Sequence, residues 1–204
     1  MTYYTLVDAW TAYQEKRYDQ AATIWKALIA QAADTATRHD HQLGYAYVLI
    51  AQQNFDAARE LLMGLNQEQP RTPAYLHQLA LLESEAGQWS AAQDYLTQEM
   101  ACLEAGDDLG LAQNQYQQGL VALQQADYSQ AQEAADQSKK AAERAQSQTA
   151  VGQAWRLNGD IALANGQKEA ARMAYDSAQA AFADEHNLSA IEEIKDRLEK
   201  ISAE

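Results

Sequence analysis

Cations, proline, glycine and cysteine are all scarce in this chain. Fifteen lysines and arginines face 29 aspartates and glutamates over 204 residues, a formal charge of −14 at pH 7. Binding DNA or RNA needs clustered cations against the phosphates, so nucleic acid is disfavoured as a partner. Two prolines and nine glycines are few for a turn-rich all-β fold. The single cysteine, Cys102, excludes an internal disulfide framework and fits a reducing compartment, so the expected location is cytoplasmic. Apolar runs are short: Tyr45-Ala46-Tyr47-Val48-Leu49-Ile50-Ala51 falls far below a membrane span. Met1-Thr2-Tyr3-Tyr4-Thr5 has neither the cationic flank nor the apolar core of a signal peptide.

The usual carriers of chemistry are missing too. There is no glycine-rich phosphate loop, no GxSxG and no HExxH. His39-Asp40-His41 resembles a metal pair, but residues two apart on a helix point to different faces and no third ligand follows; the triplet reads as a helix start. Asp107-Asp108 lacks the alternating oxygen ligands of a calcium loop. Cys102 falls at the end of a second helix and His77 on a first helix, so no thiol–imidazole dyad is expected. The expectation is a non-enzyme with no catalytic residue, cofactor or metal.

What is abundant is alanine, with 42 residues, and glutamine, with 26, both compatible with helices. One phrase recurs: an aromatic, two residues, an alanine, then a further residue four positions on. It reads Tyr18-Asp19-Gln20-Ala21 with Trp25, Phe55-Asp56-Ala57-Ala58 with Leu62, Trp89-Ser90-Ala91-Ala92 with Leu96, and Tyr128-Ser129-Gln130-Ala131 with Ala135. A fifth copy, Lys168-Glu169-Ala170-Ala171 with Tyr175, lacks the aromatic. Spacings of 37, 34, 39 and 40 residues indicate stacked supersecondary units. Each phrase opens a helix after a polar or glycine turn and follows an earlier segment with its own apolar stripe, so the unit is helix, turn, helix. Its alanine lets the second helix approach the first closely.

Expected helices span about 2–16 and 18–33, 38–52 and 55–67, 73–86 and 89–105, 109–125 and 128–148, and 150–164 and 168–184. The corresponding repeats cover about 2–36, 37–71, 72–107, 108–148 and 149–185 of a single solenoid, 1–204. Gly106-Asp107-Asp108-Leu109-Gly110 reads as an inter-repeat loop, with a hinge as the alternative. In the tail, Leu188, Ile191, Ile194, Leu198 and Ile201 form one narrow stripe, with Glu193–Arg197 and Asp196–Lys200 opposite. A capping helix over 187–202 or a dimerisation helix would both use it, so monomer and homodimer stay undecided.

These residues resemble the tetratricopeptide repeat (TPR) family, which has a small residue in its first helix, glycine at its turn, an aromatic opening its second helix and alanine three residues on. The fifth unit supplies Trp155, Gly159, Gly166, Ala171, Tyr175 and Ala178, departing only at Lys168. The other units supply Ala9, Tyr18 and Ala21; Ala46, Phe55, Ala58 and Pro70; Ala80, Gly87, Trp89 and Ala92; and Gly119, Tyr128 and Ala131. The resemblance spans roughly residues 4–184, and the longer later repeats look like those of bacterial sensor proteins. It implies an all-α, right-handed α-solenoid of about five helix-turn-helix hairpins plus the capping helix, with a concave groove that binds protein segments.

In that register the groove receives Tyr3, Trp10 and Tyr13 from the first unit, Tyr47 and Ile50 from the second, and His77, Leu81 and Glu85 from the third. Tyr116, Leu120 and Gln124 come from the fourth and Arg156 from the fifth. Leu6, Leu43 and Leu123, also in register, read as core. Aromatic side chains offer large contact area at little entropic cost, which suits a peptide or an amphipathic helix. The resemblance also implies what the groove does not do. Family members that clamp a chaperone's C-terminal carboxylate use Lys, Arg and Asn where this chain has Leu6, Trp10, Leu43, Tyr47, His77, Leu81, Tyr116, Leu120, Arg156 and Asp160. Only Arg156 could pair with a carboxylate.

Between Arg71 and Lys139 there is no lysine or arginine, but ten acids: Glu83, Glu85, Asp94, Glu99, Glu104, Asp107, Asp108, Asp127, Glu133 and Asp136. Such a field would speed encounter with a basic partner, although acids also solvate outer faces. The functional expectation is a scaffold or adaptor binding a protein or peptide. A peptide-sensing regulator is the alternative; with the first repeat opening near Met1, it would have no helix-turn-helix ahead of it and would act through another protein. A chaperone for secreted or unfolded clients is the third reading.

Overall fold

The structure, a computed structural model, describes residues 4–203. It is all-helical: eleven helices and no strand among the described residues. No helix among them is long and apolar enough to cross a membrane. Two compact units divide the chain, one running to Cys102 and the other from Leu103.

The first unit holds three hairpins: α1 (Leu6–Gln14) with α2 (Tyr18–Gln31), α3 (Thr35–Ala51) with α4 (Phe55–Glu68), and α5 (Pro73–Glu85) with α6 (Trp89–Met100). Each second helix also packs on the next first helix, α2 on α3 and α4 on α5, the nearest-neighbour stacking of a solenoid. The second unit repeats this with α7 (Asp108–Gln124) and α8 (Tyr128–Arg144), then α9 (Gln148–Ala164) and α10 (Lys168–Asp184), and ends in α11 (Leu188–Ala203) against α10.

The second helices begin at residues 18, 55, 89, 128 and 168, where the recurring phrase puts them. Other ends move because side-chain caps override the periodicity. Thr5 accepts the Asp8 amide at 3.2 Å while the Asp8 carboxylate accepts the Thr5 amide at 2.8 Å, so α1 starts at Leu6 rather than near residue 2. Asp34 accepts the Thr37 amide at 2.8 Å and starts α3 at Thr35, which leaves His39 inside the helix instead of at its start. Asp107 accepts the Gly110 amide at 2.8 Å, so Asp108–Gly110 is the first turn of α7 and only Gly106 of that segment turns left-handed.

All five hairpin turns share one conformation. Lys16, Gln53, Gly87, Ala126 and Gly166 have φ of 59°, 58°, 73°, 59° and 72°. In each, two successive amides donate back into the helix just ended; the Ala126 amide reaches the Leu123 carbonyl at 3.0 Å and the Asp127 amide the Ala122 carbonyl at 2.9 Å. The left-handed geometry is imposed on three side chains that do not favour it.

Small residues hold the hairpins shut. Ala9 and Ala21, Ala46 and Ala58, and Ala80 and Ala92 are fully buried pairs, one from each helix. Gly119 continues the series against Ala131: a Cβ there would lie 3.4 Å from the Ala131 carbonyl oxygen and 2.6 Å from Leu157 Cδ2. At Gly159 it would sit 2.4 Å from the Tyr175 ring. The stripe on α11 buries Ile194 completely against Tyr175 and Phe182, with Ile191, Leu198 and Ile201 half-buried beside it; Leu188 stays exposed. This is the capping contact a terminal repeat needs.

Two glycine substitutions should therefore move stability in opposite directions. Gly159→Ala forces a methyl into the buried Tyr175 ring, and the expected loss is about 1–2 kcal/mol after the helix gain. Gly64→Ala meets nothing within 4 Å, and the expected gain is about 1 kcal/mol. Relieving the turn with Ala126→Gly should add about 0.5–1 kcal/mol. Urea denaturation of the three variants measures all of these.

Candidate functional site

Burial of Ala9 and Ala12 fixes the rotation of α1 and sets Trp10 and Tyr13 on its flank. Trp10 is the centre of an edge-to-face cluster in the first unit. Its ring lies 5.7 Å from Tyr13, 5.3 Å from Trp25 and 5.5 Å from Tyr47, at interplanar angles of 90°, 83° and 72°. Tyr13 is also 5.8 Å from Tyr18 and 6.4 Å from Tyr47. Edge-to-face pairs put the positive ring edge on a negative face, and each adds about 0.5–1.5 kcal/mol beyond burial. Trp25 is the buried anchor: its indole fills the space that Gly44 leaves on α3. Trp10, Tyr13 and Tyr47 remain half-buried, each with surface to offer.

Burial raises the Tyr47 hydroxyl above the ordinary tyrosine range. It does the same at Tyr13, where Tyr18, Tyr47 and the Glu85 carboxylate add to the effect. Both are neutral phenols over the physiological range. Leu81 is half-buried and Glu85 exposed on α5.

Other predicted wall residues are already committed. Ile50 is buried in the core with Leu49, Leu62 and Leu79, because the rotation that buries Ala46 also turns it inward; it is out of a ligand's reach. His77 faces Glu99 of α6, with Nδ1 at 3.0 and 3.2 Å from its carboxylate oxygens. Leu6, expected in the core, is 47% exposed, since α1 has α2 on only one flank. Leu43 and Leu123 do pack on the cores. Tyr3 lies outside the described residues.

The second unit differs more. Tyr116 is buried under Arg156, which donates to its hydroxyl and lies 5.7 Å from its ring centre. Arg156 also donates to Glu193 of α11 at 2.7 Å. Arg197 bridges Glu193 at 2.6 Å and Asp160 at 3.0 Å, and the Tyr175 hydroxyl donates to Asp160 at 2.6 Å. Burial opposes the Arg156 charge, but Tyr116 and Glu193 outweigh it and the guanidinium is held more firmly than usual. Burial and the Asp160 carboxylate push the Tyr175 hydroxyl up. The one cation expected to pair with a partner's carboxylate is therefore spent within the fold, on residues of α11 that read as a solvated face. Leu120 packs half-buried on the Tyr116 core, and Gln124 is exposed.

Half of the acidic interval is internal as well. Arg59 grips Glu83 through two bonds of 2.8 and 3.0 Å, Glu99 takes His77, Asp108 takes Arg144 at 2.8 Å, and Asp107 and Asp127 cap helices. His39 bonds Glu68 at 2.9 Å and the His41 ring lies 6.0 Å from Trp25 at a tilt of 55°, so the two histidines are engaged within the fold. Among the described residues no group of three or more His, Cys, Asp or Glu could hold a metal ion. The Cys102 thiol is free and half-buried.

Comparison with known proteins agrees with this architecture. A tetratricopeptide repeat family model matches residues 12–82. No curated protein matches the chain. Among solved structures, a thermophilic TPR protein from Thermus thermophilus aligns at a TM-score of 0.73 and 15% identity over 96% of each chain. The BtubC protein (BKLC) from P. vanneervenii aligns at 0.62 and 13% identity, over 93% of this chain and 91% of its own. Nearly identical TPR-like repeats from Podosopora anserina, named after kinesin light chain, align at 0.60 and 18% identity, over 88% and 93%. The chain therefore carries tetratricopeptide repeats over residues 12–82, and its five helix hairpins have the fold of tetratricopeptide repeat proteins.

Proposed function

We propose that this protein is a non-catalytic interaction module, a scaffold or adaptor, that binds a polypeptide segment on the face of its first unit carrying Trp10, Tyr13, Tyr47, Leu81 and Glu85. TPR repeats are in general protein–protein interaction modules, and proteins of this fold are typically non-catalytic. The observation that carries the reading is the aromatic cluster. Three large rings on two helices are locked edge to face yet stay half-exposed, which gives a partner preorganised apolar area with little entropy left to lose. The second unit supports the assignment by contrast, because Tyr116 is covered by Arg156, and Arg156 is paired with Glu193 of α11. The single cysteine supports a reducing setting, and we retain the cytoplasm as the location.

Affinity capture from lysate followed by mass spectrometry tests this. One stable partner is expected with the native chain. Tyr47→Ala and Leu81→Asp should each weaken capture by at least about tenfold, roughly the effect of removing one interface anchor. Their thermal melts should stay cooperative, which separates lost binding from lost folding. Capture undiminished in both variants would mean that the partner uses another surface.

A further inference from the structure

Six asparagines occur in the chain, and two of them precede glycine: Asn158-Gly159 within α9 and Asn165-Gly166 at its end. A glycine has no Cβ to obstruct closure of its amide nitrogen onto the preceding carboxamide, so the two pairs share one intrinsic reactivity. The fold separates them. The Asn158 side chain donates to the Ala154 carbonyl at 3.1 Å and accepts from Gln132 at 2.6 Å, and Gly159 is buried against the Tyr175 ring. Asn165 and Gly166 are exposed. The Asn165 carboxamide makes no hydrogen bond among the described residues, and a Cβ on Gly166 would meet nothing within 4 Å. Three bonds close this turn: the Asn165 amide to Ile161 at 3.0 Å, the Gly166 amide to Leu163 at 2.9 Å and the Gln167 amide to Ala162 at 2.9 Å. They lie at a helix end, where local opening costs least, whereas freeing the Gly159 amide means breaking the middle of α9. The equivalent place in the other hairpin turns holds Glu15, Gln52, Ala86 and Gln125, none of them an asparagine.

We propose that Asn165 is a spontaneous modification site, deamidating through a succinimide while Asn158 is protected, and that the isoaspartate formed loosens the turn between α9 and α10. In the opened turn a base takes the Gly166 amide proton and the nitrogen bonds to Asn165 Cγ. The Cγ–Nδ2 bond breaks, and ammonia leaves with the proton returned. Water then opens the ring. Cleavage at Cγ gives aspartate with the peptide link intact. Cleavage at the main-chain carbonyl gives isoaspartate, with the chain running through Cγ and one methylene longer. That methylene falls between the Asn165 and Gly166 amides, whose bonds close the turn. Either product also sets a carboxylate at the C-terminal end of α9, where the helix dipole disfavours it.

Peptide mapping by mass spectrometry, on the full chain held in mildly alkaline buffer, tests this against a guanidinium-unfolded sample. Unfolded, the two sites should convert at similar rates. Folded, Asn165 should convert at least about tenfold faster than Asn158. Asn165→Gln, which takes the residue of the second and fourth turns, should remove the fast event and leave the melting temperature of fresh protein unchanged. The isolated isoaspartyl chain should melt about 2–4 °C lower than fresh protein, and Asn165→Asp, with the charge but no extra methylene, should fall by less. A folded chain in which Asn158 converts as fast as Asn165, or in which Asn165 does not convert over several weeks, would overturn the site. An isoaspartyl chain that melts with the fresh protein would overturn its effect on the turn.

Discussion

The structure depends on helices that touch through residues no larger than alanine. Each hairpin buries such residues on both of its helices: Ala9 and Ala21, Ala46 and Ala58, Ala80 and Ala92, Gly119 and Ala131, and Gly159 and Ala171. A methyl or a hydrogen at the crossing lets the backbones approach, and dispersion over the whole contact does the rest. The large residues then fall to one side: Trp25 against Gly44, Tyr175 against Gly159, Phe182 against Gly152. Small and large positions are complementary, so each hairpin holds one geometry and, within each unit, stacks on its neighbour. The aromatic cluster of the first unit follows from this, since Trp10 can rest on Trp25 only because Trp25 is seated in the space at Gly44.

Most of the polar side chains drawn between helices are consumed: Arg59 with Glu83, His77 with Glu99, Arg144 with Asp108, and the chain running from Tyr116 through Arg156, Glu193 and Arg197 to Asp160. Partly buried pairs of this kind fix register more than they add stability.

The repeats were legible because their signal is local and recurs. An aromatic followed by alanine three residues on, present four times and a fifth time with Lys168 in the aromatic's place, locates the second helices to the residue. Helix starts set by Thr5 and Asp34 were less legible, because a cap is a choice between several nearby polar residues. The candidate face was partly legible. Register placed Trp10, Tyr13 and Tyr47 together on one face, but it could not show that Ile50 turns inward with Ala46 or that Tyr116 disappears beneath Arg156. The second of those outcomes depends on α11, whose Glu193 and Arg197 reach 37 residues back to Arg156 and Asp160. No periodicity reports a pairing at that separation. The hidden cue was the lone Arg156 in α9, a buried cation that must find an acid somewhere in the fold.

Site-specific photo-crosslinking addresses the account's central claim most directly. A benzophenone side chain replacing Leu81 would stand on the proposed face, and one replacing the exposed Met63 on α4 would serve as its counterpart within the same unit. The account predicts covalent capture of a protein partner from position 81 and none from position 63. Capture from position 63 with position 81 silent would contradict it.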